Sequence, residues 1–328
     1  MSRTQGTKTD PSEAASPPQG SLPIFPVYLD APDLRPFLAG NTGIEGFTSI
    51  AAEAPGPHVM LVSLIHGNEI AGAIVLRTLL AQNIRPRRGR LTLGFCNLAA
   101  YARFDPQNPL ASRFVDEDMN RVWDDAQLFG VRRSYELDRA RDMRPLVDNA
   151  DILLDLHSML WPSDPLLLCG PAAQGRALAC AIATPPSVIA DSGHAGGKRL
   201  IDYARFTAPG GIPAAILVEA GQHWEPAAVT QTSATIQALL AHTGLIDPIV
   251  PPPTRPCFAE VTHTITARTH RFTFTQEFRG GDIIPDAGTL IAHDGTEEIR
   301  TPFADCVLVM PSLKASRGHT AIRLARRA

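Results

Sequence analysis

Between about residue 23 and residue 246 the chain alternates short, nearly unbroken apolar runs with longer stretches in which apolar residues recur every three to four positions. The runs HVMLVSLI (58–65), LTLGFCN (91–97), ILLDLH (152–157) and AAILVEA (214–220) have the length and apolar continuity of strands covered on both faces. The intervening periodicity predicts helices over 69–81, 134–149 and 226–242. The last carries Pro226 in its first turn and Gly244 just past its end, the asymmetry expected of helix termini. Strands and helices in alternation predict an α/β fold with a largely parallel sheet.

The pattern changes on either side of this region. Residues 1–22 are rich in Ser, Thr, Pro, Gly and charge and show no period, so they read as a disordered tail. DPIVPPPTRP (247–256) cannot continue a helix and reads as an extended spacer. Beyond it, TITARTHRFTFTQEF (264–278) alternates with period two, and turn signals follow at 280–281, 286–288 and 294–295. The expected division is a tail over 1–22, an α/β domain over 23–248 and a smaller all-β domain over 249–328.

Composition narrows the function. The 328 residues are 44% hydrophobic and 19% charged, ordinary for a soluble globular protein, and the formal charge of −3 lacks the basic footprint that phosphate backbones require. No apolar run approaches the ~20 residues that span a bilayer, and the first 22 residues contain no apolar signal segment. The five cysteines (Cys96, Cys169, Cys180, Cys257, Cys306) are scattered and form no CxxC pair. These features point to a cytoplasmic protein with reduced thiols and with neither nucleic acid nor membrane as partner.

Candidate chemistry gathers where the predicted strands end. The first run leads directly into HGNE, which puts His66 at a strand's carboxyl end and Glu69 in the first turn of the next helix. ILLDLH ends in His157, with Asp155 two residues back on the same face of the pleat, and AAILVEA brings Glu219 to a third strand end. Ligands of open α/β sheets bind outside these ends. An isolated His-x-x-Glu is more often a surface or capping pair. Together with a second histidine ending another strand, however, it makes the His₂Glu set of a catalytic zinc site with one position open. Glu219 remains as a second carboxylate able to move protons. His223 lies four residues beyond Glu219 and either borders the site or serves the structure. His58, His194, His242, His263, His270, His293 and His319 stand in polar or turn contexts and are expected at the surface. Trp161, Pro162 and Trp224 are expected to pack in the core or to line an apolar pocket. SRFVDEDMNRVW (112–123) offers Arg113 and Arg121 for an oxyanion or carboxylate, with Asn120 beside them. A charge-balanced solvated loop, with Asp116, Glu117 and Asp118 neutralising the arginines, explains the same segment equally well.

HGNE (66–69), RFVDEDMNR (113–121), DLHS (155–158) and VEAG (218–221) together, in this order, resemble the motifs of the succinylglutamate desuccinylase/aspartoacylase family. The resemblance implies a zinc carboxypeptidase-like fold, a mixed α/β sheet with a C-terminal β-rich domain over the site, and hydrolysis of the amide of a small N-acyl amino acid. It implies one zinc per chain, held by His66, Glu69 and His157, with Glu219 as general acid/base and Arg113 polarising the scissile carbonyl. It further implies that Asn120 and Arg121 hold the substrate's α-carboxylate, with Asp118 and Asp155 supporting from behind. Ser63 and Leu64 replace the glycines usual before HGNE, and no tyrosine follows Tyr203 to touch substrate from the C-terminal domain. Two other readings stand beside the deacylase: a metallocarboxypeptidase acting on short peptides, and a non-catalytic metabolite-binding relative. The β module could equally form a homo-oligomer interface.

Overall fold

The computed structural model describes residues 25–194, 196–248 and 255–328. The expected tail (1–22) and the centre of the proline-rich spacer (249–254) lie outside these residues.

The first part of the chain runs β1 (Phe47–Ala51), β2 (His58–Ser63), α1 (Ile70–Ala81), β3 (Arg90–Phe95), α2 (Leu98–Tyr101), α3 (Asp125–Leu128), α4 (Tyr135–Asp148) and β4 (Ile152–Met159). It continues through β5 (Leu166–Leu168), α5 (Ala173–Ile182), β6 (Ser187–Ala190), α6 (Ala204–Thr207), β7 (Ala214–Gln222) and α7 (Pro226–His242). After the spacer come β8 (Cys257–Thr266), β9 (Phe272–Phe274), β10 (Ile283–Ile284), β11 (Leu290–Asp294), β12 (Glu297–Arg300), β13 (Cys306–Val309) and β14 (Thr320–Arg327).

Strands β3, β2, β4 and β7 are parallel neighbours, which explains their unbroken apolar runs. Val59 and Leu61 of β2 pack under α1, α5 and α7, whereas Met60 and Val62 pack against α4 and Trp123 on the other face. Each fully buried aliphatic side chain contributes about 1.5–3 kcal/mol, so both faces favour this register. The sheet is mixed: β1 is antiparallel to β3, and β5 is antiparallel to β7. It does not stop at the spacer, because β6 pairs in parallel with β8 and the order continues through β14, β13 and β10 to make eleven strands. A second sheet, β12-β11-β9, completes the C-terminal part around Phe278, Ile291, Phe303 and Ile322.

The predicted helices start and stop for identifiable reasons. Ser134 caps α4 through Leu137 N at 3.1 Å, and Gly244 beyond α7 takes the left-handed φ of +72°. Strand β2 ends at Ser63, two residues earlier than its apolar run, because Leu64 is left-handed at φ 59°. All five cysteines are free, and among the described residues no helix is long and apolar enough to cross a membrane.

Candidate active site and metal centre

The parallel register sets β4 beside β7 with His157 opposite Glu219, and β2 lies on the other side of β4. The turn at Leu64 carries the chain from β2 to His66. Gly67 follows as a point of close approach: its N–H donates to Arg113 O at 3.0 Å, and a Cβ there would meet Ser112 O and Tyr101 N at 2.5 Å. Glu69 occupies the N-cap of α1 without capping it. Its carboxylate turns inward instead, placing Oε1 2.7 Å from His66 Nδ1 and Oε2 3.0 Å from His157 Nδ1. All three side chains are buried, and their candidate ligand atoms lie within 4.8 Å of one another.

Both imidazoles are flanked by carboxylates on their second nitrogens as well. His66 Nε2 is 2.9 Å from Asp118 Oδ1, and His157 Nε2 is 2.9 Å from Asp155 Oδ2. Three carboxylates around two imidazoles leave acceptors without protons to share, a donor set that fits a divalent cation at the Nδ1 nitrogens and Glu69. Burial opposes charge on Glu69, yet His66 and His157 hold its carboxyl well below the usual range. Burial likewise opposes charge on His157, but Asp155 and Glu69 raise it well above the usual imidazole value. Glu219 is partly open to the pocket with Oε2 buried, and burial pushes its carboxyl up to about 8, with Glu69 and Asp155 adding to the effect. His223 is buried, 2.8 Å from Ser158 Oγ, and burial lowers it to about 4.

The 112–123 segment is not a solvated loop. Glu136 of α4 is fully buried, and its two carboxylate oxygens accept from Asn97 Nδ2 (2.9 Å) and from the backbone N–H groups of Val115 (2.6 Å), Asp116 (3.0 Å) and Glu117 (3.2 Å). This clasp holds Arg113 over the histidines, where it meets Glu69 at 3.2 Å, His66 Nε2 at 2.9 Å and Asp118 at 3.2 Å. Asn120 Oδ1 accepts from Leu200 N at 2.9 Å, which orients the amide and leaves its NH₂ to donate into the pocket. Arg121 Nη1 donates to Asn120 O at 2.6 Å.

These groups line a cavity of about 220 Å³ that also includes Ser158, Met159, Trp161, His223, Met310 and Pro311. That is small beside the ~300–1,000 Å³ of pockets for drug-sized ligands. His66, Glu69, Arg113, Asn120, Arg121, His157 and Glu219 all meet there, with Asp118 and Asp155 behind the histidines. Trp224 is core, its Nε1 donating to Asn68 O at 3.0 Å.

Two of the histidines expected at the surface are not there. His58 is half-buried against Asn149 O and Thr92. His194 forms part of the pocket wall, because pairing of β6 with β8 and of β8 with β14 brings Arg323 against its ring at 2.8 Å. The other five are exposed. Residue-by-residue reading also missed Arg199 and Arg323, which complete that wall. The available signal was a single cation inside the apolar run AIRLA (321–325).

The profile of the succinylglutamate desuccinylase/aspartoacylase catalytic domain matches residues 55–243. The chain belongs to that family. The crystal structure of succinylglutamate desuccinylase from Vibrio cholerae superposes with a TM-score of 0.67 at 18% identity, covering 87% of this chain and 86% of that one. A succinylglutamate desuccinylase/aspartoacylase from Rhodobacter sphaeroides gives 0.62 at 19% identity, over 87% and 90%. The product-bound ectoine utilization protein EutE from Ruegeria pomeroyi gives 0.60 at 16% identity, over 85% and 88%. At these identities the likeness is one of fold, the mixed sheet with its smaller C-terminal β part. The segment matching the family's catalytic domain contains every residue of the His66–Glu69–His157 centre and of the 113–121 loop, as well as Glu219; it ends before Arg323.

Proposed function

We propose that the protein is a zinc-dependent hydrolase that cleaves the amide bond of a small N-acyl amino acid or related N-acyl amine. The observation that carries this reading is Glu219, opposite His157 in the β4–β7 register and lining one pocket with His66 and Glu69. A module that only bound a metabolite would gain nothing from a second carboxyl group placed beside the three candidate ligands. Membership of a family named for two deacylases supports the same reaction.

Zinc bound by His66, Glu69 and His157 supplies Lewis acidity toward the carbonyl and the attacking water. Glu219 accepts a proton from that water as the new C–O bond forms, then delivers it to the nitrogen as the C–N bond breaks. Arg113 lies where its guanidinium can stabilise the oxyanion, and Asp118 fixes its angle. Asn120 and Arg121 present N–H donors to the substrate's α-carboxylate. Asp155 holds the His157 ring from behind. The C-terminal residues Met310, Pro311 and Arg323 narrow the pocket, which suits a small substrate better than a peptide chain.

The test is metal content by mass spectrometry on wild type and His157→Ala, with amine release measured over a panel of N-acyl amino acids. About one zinc per chain, lost in the variant together with amine release, is the expected result. Full metal loading without release from any substrate overturns the deacylase reading.

A further inference from the structure

We propose that His223 is a positioning residue for the metal centre: through the hydroxyl of Ser158 it fixes the backbone N–H that holds Glu69, and so the orientation of that carboxylate toward a cation. The role rests on the metal-dependent reading above, with His66, Glu69 and His157 as ligands, and adds the support behind one of them.

Glu69 is buried, and its side chain does not cap the helix it begins. Its Oε1 meets His66 Nδ1 at 2.7 Å and Arg113 Nη1 at 3.2 Å. Its Oε2 meets His157 Nδ1 and accepts from the backbone N–H of Ser158, each at 3.0 Å. An imidazole nitrogen that ligates a cation carries no proton, so with the Nδ1 atoms so engaged His157 has no N–H to offer Glu69 there. Among the described residues, the donor then left on Oε2 is Ser158 N–H.

Ser158 stands where the sheet ceases to fix the backbone. On one side β2 has ended, its last pair with β4 being Ser63 and Leu156. On the other the register with β7 shifts: His157 pairs with Glu219 but Met159 with Gln222, so Ala220 and Gly221 stand opposite Ser158 alone, with Gly221 at φ +112°. A bulge of this kind disrupts the ladder locally. His223 takes over the hold. Its backbone N–H donates to Met159 O at 2.9 Å, and its Nδ1 lies 2.8 Å from Ser158 Oγ. A hydroxyl both donates and accepts, so this bond forms with either tautomer of the ring. Trp224 reaches the other side of the same ligand, donating from Nε1 to Asn68 O at 3.0 Å, and its own N–H is held by Gln222 Oε1 at 2.8 Å. Residues 222–224, which continue directly from the strand of Glu219, therefore grip Glu69 through both Asn68 and Ser158.

Burial lowers His223 to about 4, so its ring is neutral near pH 7. Replacing it takes no charge from the centre, and a change in metal affinity then reports geometry. Hydrogen-bonded supports behind metal ligands are typically worth about 10–100-fold in affinity.

The experiment is zinc affinity by competition with a chromophoric chelator, measured on the full chain well below the melting temperature of each metal-free variant. Wild type is compared with His223→Leu, His223→Asn, Ser158→Ala and the double variant His223→Leu/Ser158→Ala. His223→Leu and Ser158→Ala should each weaken zinc binding by about 10–100-fold. The double variant should be no weaker than the weaker single one, because both changes remove the same bond. His223→Asn, whose amide can stand in for Nδ1, should recover part of the loss. Should His223→Leu fail to fold, Ser158→Ala removes the bond from its other end and carries the test.

A merely structural histidine would lower the melting temperature of the metal-free protein and leave zinc affinity unchanged. That outcome in His223→Leu and Ser158→Ala overturns the positioning role while leaving the metal centre intact. Losses that multiply in the double variant overturn the route through Ser158. Absence of zinc binding in the wild type overturns the metal centre and the positioning role together.

Discussion

The two walls of the pocket are built on different principles. One comprises His157 and Glu219, set opposite each other by the β4–β7 ladder, with His66 and Glu69 carried by the turn and helix start just after the adjacent β2. The other comprises Arg121, His194, Arg199 and Arg323, which come from a loop, from the segment after β6 and from the last strand. Arg323 joins it because β8 and β14 extend the sheet. The lesson is a division between strand ends, which fix side chains closely to one another, and distant segments, which gather several guanidiniums into one positive wall.

Disruption of the first wall should abolish chemistry. The largest effect is expected from His157→Ala, which should lose the metal and bring amine release to background; chelation of the wild type should do the same, reversibly on adding zinc. Glu219→Ala should keep the metal and leave KM nearly unchanged while kcat falls by about 10²–10⁴. Metal analysis beside steady-state kinetics separates these two outcomes, and substantial residual turnover in Glu219→Ala would remove that residue from the mechanism.

Glu136→Gln tests the support behind Arg113. An amide cannot accept at both ends, so one or two of the N–H groups at 115–117 lose a partner in a buried setting. The expected outcome is about 1–3 kcal/mol of stability lost in denaturant melts and a kcat/KM lower by about 10–100-fold with zinc retained. Unaltered kinetics would show that the loop holds its shape without the clasp.

The pH dependence of metal-free protein sharpens the comparison further. Glu219 takes up its proton near pH 8 in the folded chain and, when unfolded, near its ordinary value of 4.5. Its contribution to stability is therefore complete below pH 4.5 and is lost as pH rises from there through 8, with a slope of up to about 1.4 kcal/mol per pH unit. Glu219→Gln should remove this component, so the gap between variant and wild type in chelator widens with pH. A constant gap would mean that burial does not hold the proton. The smallest effect is expected far from both walls: Val131→Ser, at a side chain 98% exposed, should change stability by no more than about 0.5 kcal/mol and leave rates unchanged.

The first wall was legible in the sequence because each of its groups sits at or just beyond the end of an apolar run, and such a run announces a strand without knowledge of its partners. The α/β order was legible for the same reason. Glu136 was not, since its neighbours in ELDRARD have the look of a solvated helix face. Its burial comes from a loop 19–21 residues earlier folding onto it. His194 looked exposed beside Ser192 and Gly193 because nothing nearby in the chain reveals that Arg323, 129 residues on, closes over it. Continuation of the sheet through β6 and β8 is likewise a long-range pairing, hidden behind a proline run that reads as a break.

That continuation limits how the protein can be cut or recombined. Ending the chain at residue 248 would strip β8 from β6 and bare a row of backbone amides and carbonyls, an invitation to strand-to-strand aggregation. Grafting the terminal part of a relative would exchange the sheet's outer border and the guanidinium at position 323 in a single stroke, so solubility and the lining of the pocket would have to change hands together.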